Sequence, residues 1–216
     1  AGIIKYNTPI IIGRNQKKTE KVLKEIANKK NTVLTYALSY NYDSDLSGNY
    51  QKENINTAVS GILELKNQGW KITNKNIKEG LLNTRKNTGI LGRWQKLSKN
   101  PKIICDIAHN EDGLKEIIKQ LQATSYKRLH IVFGTVNDKD LNILSLLPKH
   151  AKYYFCKANI PRGLNEKSLK KIANKKGLNG ESYSSVKKAL EKAKKSANKE
   201  DLIFIGGSTF IVAEIL

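Results

Sequence analysis

The chain has 216 residues and a formal net charge of +20, from 39 lysines and arginines against 19 aspartates and glutamates. Its hydrophobic content of 39% is enough to bury a substantial core, which excludes disordered and fibrous proteins. No stretch approaches the roughly 18 consecutive apolar residues of a membrane span, and no leader of signal-peptide type opens the chain. We therefore expect a soluble, cytoplasmic protein with no membrane partner.

The positive charge comes almost wholly from lysine and is spread evenly along the chain. Such a surface can bind nucleic acid, because neutralised phosphates supply most of the non-specific affinity. Here the lysines fall on the polar faces of predicted helices, and lysine is abundant together with asparagine and isoleucine. Both observations favour an ordinary solvent-exposed surface over a nucleic-acid-binding one. We therefore expect no nucleic-acid partner; we also expect a monomer, for which the sequence holds no direct signal. The chain contains no methionine and opens with Ala1-Gly2-Ile3, so we also expect an internal fragment of a longer protein.

The first part of the chain mixes short strands with longer helices. Residues 9–12 and 32–38 are predicted strands, residues 19–27 a helix and residues 74–85 a further short helix. One amphipathic helix is predicted by apolar residues at helical spacing, namely Ile55, Ala58, Val59, Ile62 and Leu63. Asn87-Thr88-Gly89 breaks the pattern, so we predict two domains, residues 1–90 and 91–216.

Strands and helices alternate regularly in residues 91–216. The predicted strands are 103–105, 129–133, 153–156 and 202–205, with helical patterns between them, one of which carries Leu141, Leu144 and Leu147. This alternation predicts an α/β fold with a mostly parallel sheet covered by helices on both faces. Cys105 and Cys156 each close an apolar run and lack the spacing of a zinc site, so we expect buried free thiols and no metal ligands.

Polar residues follow each predicted strand, where ligands bind in parallel sheets. The candidates are Asp106, His109, Asn137, Asp138, Lys139, Arg162 and the turn Gly206-Gly207-Ser208. An aspartate there can accept ribose hydroxyls, and an arginine offers a charged fork to phosphate. The glycine turn leaves backbone N–H groups free for an anion. Each residue also has a structural explanation, since strand-end aspartates often cap helices and such turns are often only tight connections.

Taken in order, five motifs carry more information than any single residue. They are Gly92-Arg93-Trp94-Gln95, Asp106-Ile-Ala-His109-Asn110, the run from Val132 to Asp140, the run from Lys157 to Arg162, and the run from Gly207 to Glu214. This order resembles the C-terminal domain of bacterial folylpolyglutamate and dihydrofolate synthases, which belong to the Mur ligase superfamily. The segments Ala1 to Lys5 and Tyr50 to Asn54 resemble the end of the same family's central ATPase domain. The resemblance implies the end of a P-loop-type domain followed by a Rossmann-like domain.

The resemblance implies an ATP-dependent ligase. ATP phosphorylates a carboxylate of dihydropteroate or of a folate glutamate tail, and the amine of L-glutamate then displaces the phosphate. In that scheme Asn54 contacts adenine, Arg93 the phosphates and Asp106 the ribose. His109 is the catalytic candidate and faces the phosphoryl and glutamate groups, where Ser208 also holds glutamate. The cofactors are ATP and Mg²⁺. The family's P-loop and metal ligands precede Ala1, so we expect this fragment to be inactive alone.

Two other functions are compatible with these residues. One is a different Mur-type ligase acting on a cell-wall precursor, although such enzymes usually carry lysine at the position of His109. The other is a noncatalytic basic module that binds nucleic acid, although the chain lacks an arginine cluster and interleaved surface aromatics. The choice between dihydropteroate and folyl polyglutamates as substrate stays open.

Overall fold

The computed structural model describes residues 2–216. The chain separates into two compact units, with the division between Gly89 and Ile90. We call residues up to Gly89 unit 1 and residues from Ile90 unit 2. The sequence-based boundary was placed between residues 90 and 91, and the assignment of each part to a named domain stays a prediction.

Residues 2–89 of unit 1 contain two short strands and four helices. They are β1 (Ile10–Ile12), α1 (Lys17–Lys29), β2 (Leu34–Tyr36), α2 (Gln51–Asn67), α3 (Asn74–Leu82) and α4 (Thr84–Thr88). The strands pair in parallel, with Ile10 opposite Leu34. Thr73 starts α3 with a reciprocal cap to Asn76. The single helix predicted over 74–85 is in fact two, because α3 ends at Leu82 and α4 begins at Thr84.

Unit 2 is an α/β layer structure, as predicted. Its elements are β3 (Gln95–Lys99), β4 (Lys102–Cys105), α5 (Glu111–Gln122), β5 (Leu129–Phe133), a 3₁₀ helix (Leu141–Leu146), β6 (Lys152–Cys156), α6 (Glu166–Lys175), β7 (Gly180–Tyr183), α7 (Val186–Ser196), β8 (Leu202–Gly206) and α8 (Thr209–Ala213). The six strands lie in the order β3-β4-β8-β5-β6-β7. Only β3 is antiparallel to its neighbour, so the sheet is mostly parallel.

Both faces of this sheet are buried, which the sequence expresses as short continuous apolar runs. One face carries Val132, Tyr154 and Ile205, which belong to the same core cluster as residues of α7 and α8. The alternate residues Ile131 and Phe155 point to the other face and are equally inaccessible. The unit is therefore a three-layer arrangement whose loops emerge at the two ends of the strands.

Both cysteines are buried and free, as predicted. Burial raises the pKa of the Cys105 thiol to about 12, with the Asp106 carboxylate adding to the effect. Burial raises the pKa of Cys156 as well. The thiols are therefore protonated components of the core, not nucleophiles.

Two features of unit 2 differ from the sequence-based expectations. No strand was predicted at β3 or β7, which form the two edges of the sheet. The segment with Leu141 and Leu144 is a 3₁₀ helix that ends before Leu147. Among residues 2–216, no helix combines the length and the apolar character needed to cross a bilayer.

Candidate functional site

The carboxyl ends of β4, β5, β6 and β8 lie at one edge of the sheet, because these strands are mutually parallel. The loops that follow them enclose a cavity of about 310 Å³, which we call the carboxyl-edge cavity. Its polar lining consists of His109, Asp138, Lys139, Arg162, Ser208 and Thr209. Four segments that are remote in sequence thus supply one set of charged and hydroxyl groups.

Glycines allow the loops after β5 and β8 to approach this closely. Gly207 has a φ of +98°, and a Cβ there would lie 2.5 Å from the Gly134 carbonyl oxygen. A Cβ on Gly134 would lie 2.4 Å from the Cys156 carbonyl oxygen. Side chains at either position would separate the strands, so the turn after β8 requires glycine for its conformation and its space.

Arg162 is held over the cavity by two contacts. Its Nη1 lies 3.5 Å from Asp138 Oδ2, and its guanidinium carbon lies 4.9 Å from the centroid of the Phe210 ring. The backbone supports this pairing, because the Asn137 N–H donates to the Arg162 carbonyl at 2.9 Å. Both charged side chains are more than half exposed, at 55% and 61%, so the ion pair is weak and can be exchanged for another anion.

The two residues that the sequence assigned to glutamate or phosphoryl contact both line this cavity. His109 is exposed, with Nδ1 3.1 Å from the Ile107 carbonyl oxygen. That contact leaves Nε2 as the nitrogen available to a ligand. Ser208 is 5% exposed and is the N-cap residue of α8. Its Oγ accepts a hydrogen bond from the Phe210 N–H at 3.3 Å. The Ser208 hydroxyl therefore has a structural task as well.

A buried hydroxyl lies just after β5. Thr135 is 1% exposed, and within residues 2–216 its Oγ1 has no hydrogen-bond partner. Its carbonyl accepts from the Leu164 N–H at 2.9 Å, which joins the loop after β5 to the loop after β6. An unpaired buried hydroxyl costs free energy. Thr135 follows the predicted strand 129–133 and lies in the run from Val132 to Asp140, so its strand-end position was a signal in the sequence, although no role was assigned to it.

Arg93 is carried by a loop whose other residues are all used structurally. Gly92 has a φ of +73°, and a Cβ there would lie 2.6 Å from Ile107 Cγ2. Its N–H donates to Gln95 Oε1 at 2.8 Å. Trp94 is 4% exposed, and its ring centroid lies 6.2 Å from that of Phe204. Within residues 2–216, the partly buried Arg93 is the one member of this motif whose side chain makes no hydrogen bond, ion pair or ring contact.

Asp106 fixes this loop against the end of β4. Its Oδ2 accepts from the Trp94 N–H at 2.7 Å and its Oδ1 from the Ala108 N–H at 2.8 Å. The residue is only 2% exposed. Asp106 therefore does not line the carboxyl-edge cavity, and its observed contacts position the backbone beside Arg93. Asn110 also has a structural task, because its side chain caps α5 by accepting from Gly113.

In unit 1, Asn54 lies on the first turn of α2. Its Nδ2 donates to Gln51 Oε1 at 2.9 Å, and the asparagine itself is exposed. Gln51 is 5% exposed, and its Nε2 has no hydrogen-bond partner among the described residues. The buried amide of Gln51 orients Asn54 and retains an unused donor. Over residues 2–216 no three His, Cys, Asp or Glu side chains are grouped as metal ligands.

Residues 92–209 match the family model described as "Mur ligase, glutamate ligase domain". The chain is 32% identical over 187 residues to a probable bifunctional folylpolyglutamate synthase/dihydropteroate synthase of Haloferax volcanii, covering 85% of this chain and 21% of that protein. It is 25% identical over 234 residues to the dihydrofolate synthase/folylpolyglutamate synthase of Escherichia coli, covering 100% of this chain and 53% of the relative.

The fold is also found among solved structures. The bifunctional folylpolyglutamate synthase/dihydrofolate synthase with Mn, AMPPNP and L-glutamate bound superposes with a TM-score of 0.79 at 19% identity. The match covers 99% of this chain and 54% of that one. The chain thus spans about half the length of the E. coli relative and of this structure.

Proposed function

The chain belongs to the Mur ligase family through its glutamate ligase domain, and we propose that it binds nucleotide and L-glutamate for an ATP-dependent amide ligase of folate metabolism. In the proposed reaction a carboxylate of dihydropteroate or of a folate glutamate tail is activated as an acyl phosphate. The amine of L-glutamate then attacks that acyl group. The names of the curated relatives support this reaction class. Because those relatives extend well beyond the matched region, we propose that catalysis also needs the counterpart of their remaining part.

The carboxyl-edge cavity is our proposed L-glutamate site. Glutamate carries two carboxylates, and the cavity presents the cations Lys139 and Arg162 beside His109. A carboxylate can replace Asp138 on Arg162, because their exposed ion pair at 3.5 Å holds the guanidinium only weakly. The face of Phe210 keeps the guanidinium in place during that exchange. Ser208 then supplies a hydroxyl at the same wall of the cavity.

Nucleotide contacts are assigned to the residues that local structure leaves available. In unit 2 we assign the phosphates to Arg93, because the packing around it accounts for Gly92, Trp94 and Gln95 but not for its guanidinium. Asp106 is the exception, because each of its carboxylate oxygens already accepts a backbone N–H; these contacts support the task of positioning Arg93, and the ribose contact that we also assign to Asp106 rests on its strand-end position and the family resemblance. In unit 1 we assign the adenine end to Asn54, oriented by Gln51.

ATP supplies the phosphoryl group, and Mg²⁺ neutralises charge on its oxygens. His109 is the candidate for stabilising charge at the reacting carboxyl, since its Nε2 is directed away from the Ile107 carbonyl. The observation that carries the proposal is the convergence of His109, Lys139, Arg162 and Ser208 on one cavity.

Nuclear magnetic resonance of the isotopically labelled chain tests the glutamate site directly. We expect millimolar L-glutamate to shift the backbone amides of Gly207, Ser208 and Phe210, and we expect Arg162→Gln to abolish those shifts. L-Glutamine, which lacks one carboxylate, should bind more weakly. The matched control is Arg128→Gln, which removes an arginine from the opposite end of β5 and should leave the shifts intact. Equal responses of the two variants, or no response to glutamate, would refute the assignment.

A further inference from the structure

The opposite edge of the same sheet, where the parallel strands begin, is lined by cations. Two adjoining hollows of about 400 and 360 Å³ open there and share Lys127. Lys99, Lys102 and Lys199 line the first, and Arg128 and Lys152 line the second. We call these two hollows the amino-edge surface. Its lysines come from four segments, at strand ends and in loops, that are far apart in sequence, so the even spread of charge along the chain concealed the cluster.

The acidic groups at this surface are already committed. Glu200 Oε2 lies 2.6 Å from Lys127 Nζ. Asp201 is 1% exposed, accepts from the backbone N–H groups of Asn198 and Arg128, and lies 3.4 Å from His130 Nε2. Within residues 2–216, four side chains of this surface have neither an ion pair nor a hydrogen bond, namely Lys99, Arg128, Lys152 and Lys199. The surface therefore keeps an uncompensated positive charge.

The negative ends of helix dipoles offset only part of this positive charge. The C-terminal ends of α5, α6 and α7 precede β5, β7 and β8 and so lie at this edge. Each helix end carries about half a negative charge, roughly 1.5 charges in total. The four uncommitted cations exceed that sum. Lysine is favoured in the last turn of a helix, but this preference does not explain Lys99, Lys152 or Lys199, because all three lie outside the helices.

The loops that carry these cations are fixed before any ligand arrives. The Lys127 N–H donates to the Glu200 carbonyl, and the Leu202 N–H donates to the Arg128 carbonyl, both at 3.0 Å. Lys102 Nζ donates to the Ser125 carbonyl at 3.3 Å. The backbone segments before β5 and β8 are joined in this way. An anion that binds here therefore meets charges at fixed positions, and its binding orders few additional residues.

The chemistry around the hollows is that of a phosphate-sugar chain. Besides the cations, Asn100 and Ser125 line the first hollow and Ser196 the second. These are the residue types that contact phosphate and sugar oxygens. No exposed large apolar side chain lines either hollow, as a membrane-inserting surface would need. We propose that the amino-edge surface binds the phosphate backbone of nucleic acid without reading base sequence.

This proposal departs from the sequence-based expectation of no nucleic-acid partner, and it is independent of the proposed ligase function. The site lies at the opposite ends of the strands from the carboxyl-edge cavity, so neither occupant excludes the other by sharing side chains. The phosphate contacts are electrostatic, which makes affinity fall with salt and leaves it indifferent to base order.

Fluorescence anisotropy with a labelled DNA duplex of mixed sequence tests the proposal on the chain itself. The test variant carries Lys99→Gln, Arg128→Gln, Lys152→Gln and Lys199→Gln. The control variant carries Lys167→Gln, Lys171→Gln, Lys187→Gln and Lys188→Gln, which remove the same charge from exposed positions on α6 and α7. Circular dichroism checks folding. If the test variant does not fold, the exposed single changes Lys99→Gln and Lys152→Gln replace it, with Lys167→Gln and Lys187→Gln as their controls.

We expect the test variant to lose at least about tenfold in affinity and its salt slope to fall by up to roughly 3.6, at about 0.9 per lost phosphate contact. The control should stay close to the original protein, and each single variant should show a smaller loss than the set. Equal losses in test and control would overturn the proposal in favour of general attraction to a basic protein. Absence of binding at low salt, or tighter binding to poly-L-glutamate than to the duplex, would also overturn it.

Discussion

Replacing Asp106 tests whether this carboxylate holds the Arg93 loop in place. Asp106→Ala removes the acceptors of the Trp94 and Ala108 N–H groups, which bond at 2.7 and 2.8 Å to a residue that is 2% exposed. Hydrogen bonds to a charged group contribute about 1.5 to 3 kcal/mol each, so we expect a loss of about 3 to 6 kcal/mol. Asp106→Asn keeps one acceptor oxygen and should lose about half as much.

Trp94 provides a local reporter for this measurement. The chain has two tryptophans, and Trp70 is 63% exposed, so Trp70→Phe leaves the buried Trp94 as the only indole. Urea unfolding followed by Trp94 fluorescence then reports on unit 2. A loss of 3 to 6 kcal/mol is a large share of the 5 to 15 kcal/mol typical of a domain, so the midpoint should move far to lower urea.

Arg93→Gln is the matched control for this series. Its side chain is partly buried and makes no hydrogen bond or ion pair within residues 2–216, and glutamine keeps much of its aliphatic stem, so we expect a change within about 0.5 kcal/mol. Nucleotide binding should nevertheless weaken in Asp106→Asn, because the loop that carries Arg93 is no longer held in position. It should also weaken in Arg93→Gln, because a contact to phosphate is lost. Unchanged stability in Asp106→Ala would refute the positioning argument, whatever happens to nucleotide affinity.

Two further predictions concern the sheet. Gly207→Ala should lower the free energy of unfolding by about 2 to 4 kcal/mol, because of backbone strain at a φ of +98° and the clash with Gly134. The control is Gly61→Ala, in open space on α2, which should raise the free energy of unfolding by about 0.5 to 1 kcal/mol. Comparable urea midpoints in the two variants would contradict this. Burial lowers the pKa of His130 while Asp201 opposes the shift. The unfolded chain therefore takes up a proton that the native state resists, and stability should fall as pH decreases below about 6.5. His130→Gln should flatten the urea midpoint between about pH 7 and pH 5, and an unchanged slope would contradict the argument.

The strands that the sequence revealed are the ones buried on both faces. β5 and β8 are apolar apart from His130 and the terminal Gly206, and every residue in them is buried. β3 and β7 were missed because they form the sheet's edges, where polar residues such as Lys96 and Glu181 are exposed. The 3₁₀ helix carries leucines three residues apart at 141 and 144, which matches three residues per turn better than 3.6. Edge strands and short turns depend on neighbours that a linear pattern does not contain.

The residues of the candidate site also fall into two groups, those that the sequence pattern indicated and those that only the structure shows. Strand ends pointed to Ser208 and His109, because a parallel sheet gathers its carboxyl ends at one edge. The pairing of Arg162 with Asp138 and Phe210 joins three separate loops, so only the folded chain shows it. The strand-end position and the family resemblance assign Asp106 to a ribose, whereas its two backbone contacts are visible only in the structure. The amino-edge lysines were hidden because each one looks ordinary in its own loop.

The place of β8 in the sheet has a consequence for how the protein is made. β8 follows the other five strands of this sheet in the chain, yet it lies between β4 and β5 and pairs with both. Until residues 202–206 have emerged, β4 has no parallel partner, and one edge of β5 has no strand to pair with. Unit 2 therefore closes late and all at once, through contacts between segments about a hundred residues apart, which is the slow class of folding topology. A ribosome that stops shortly before Leu202 releases a sheet in two pieces.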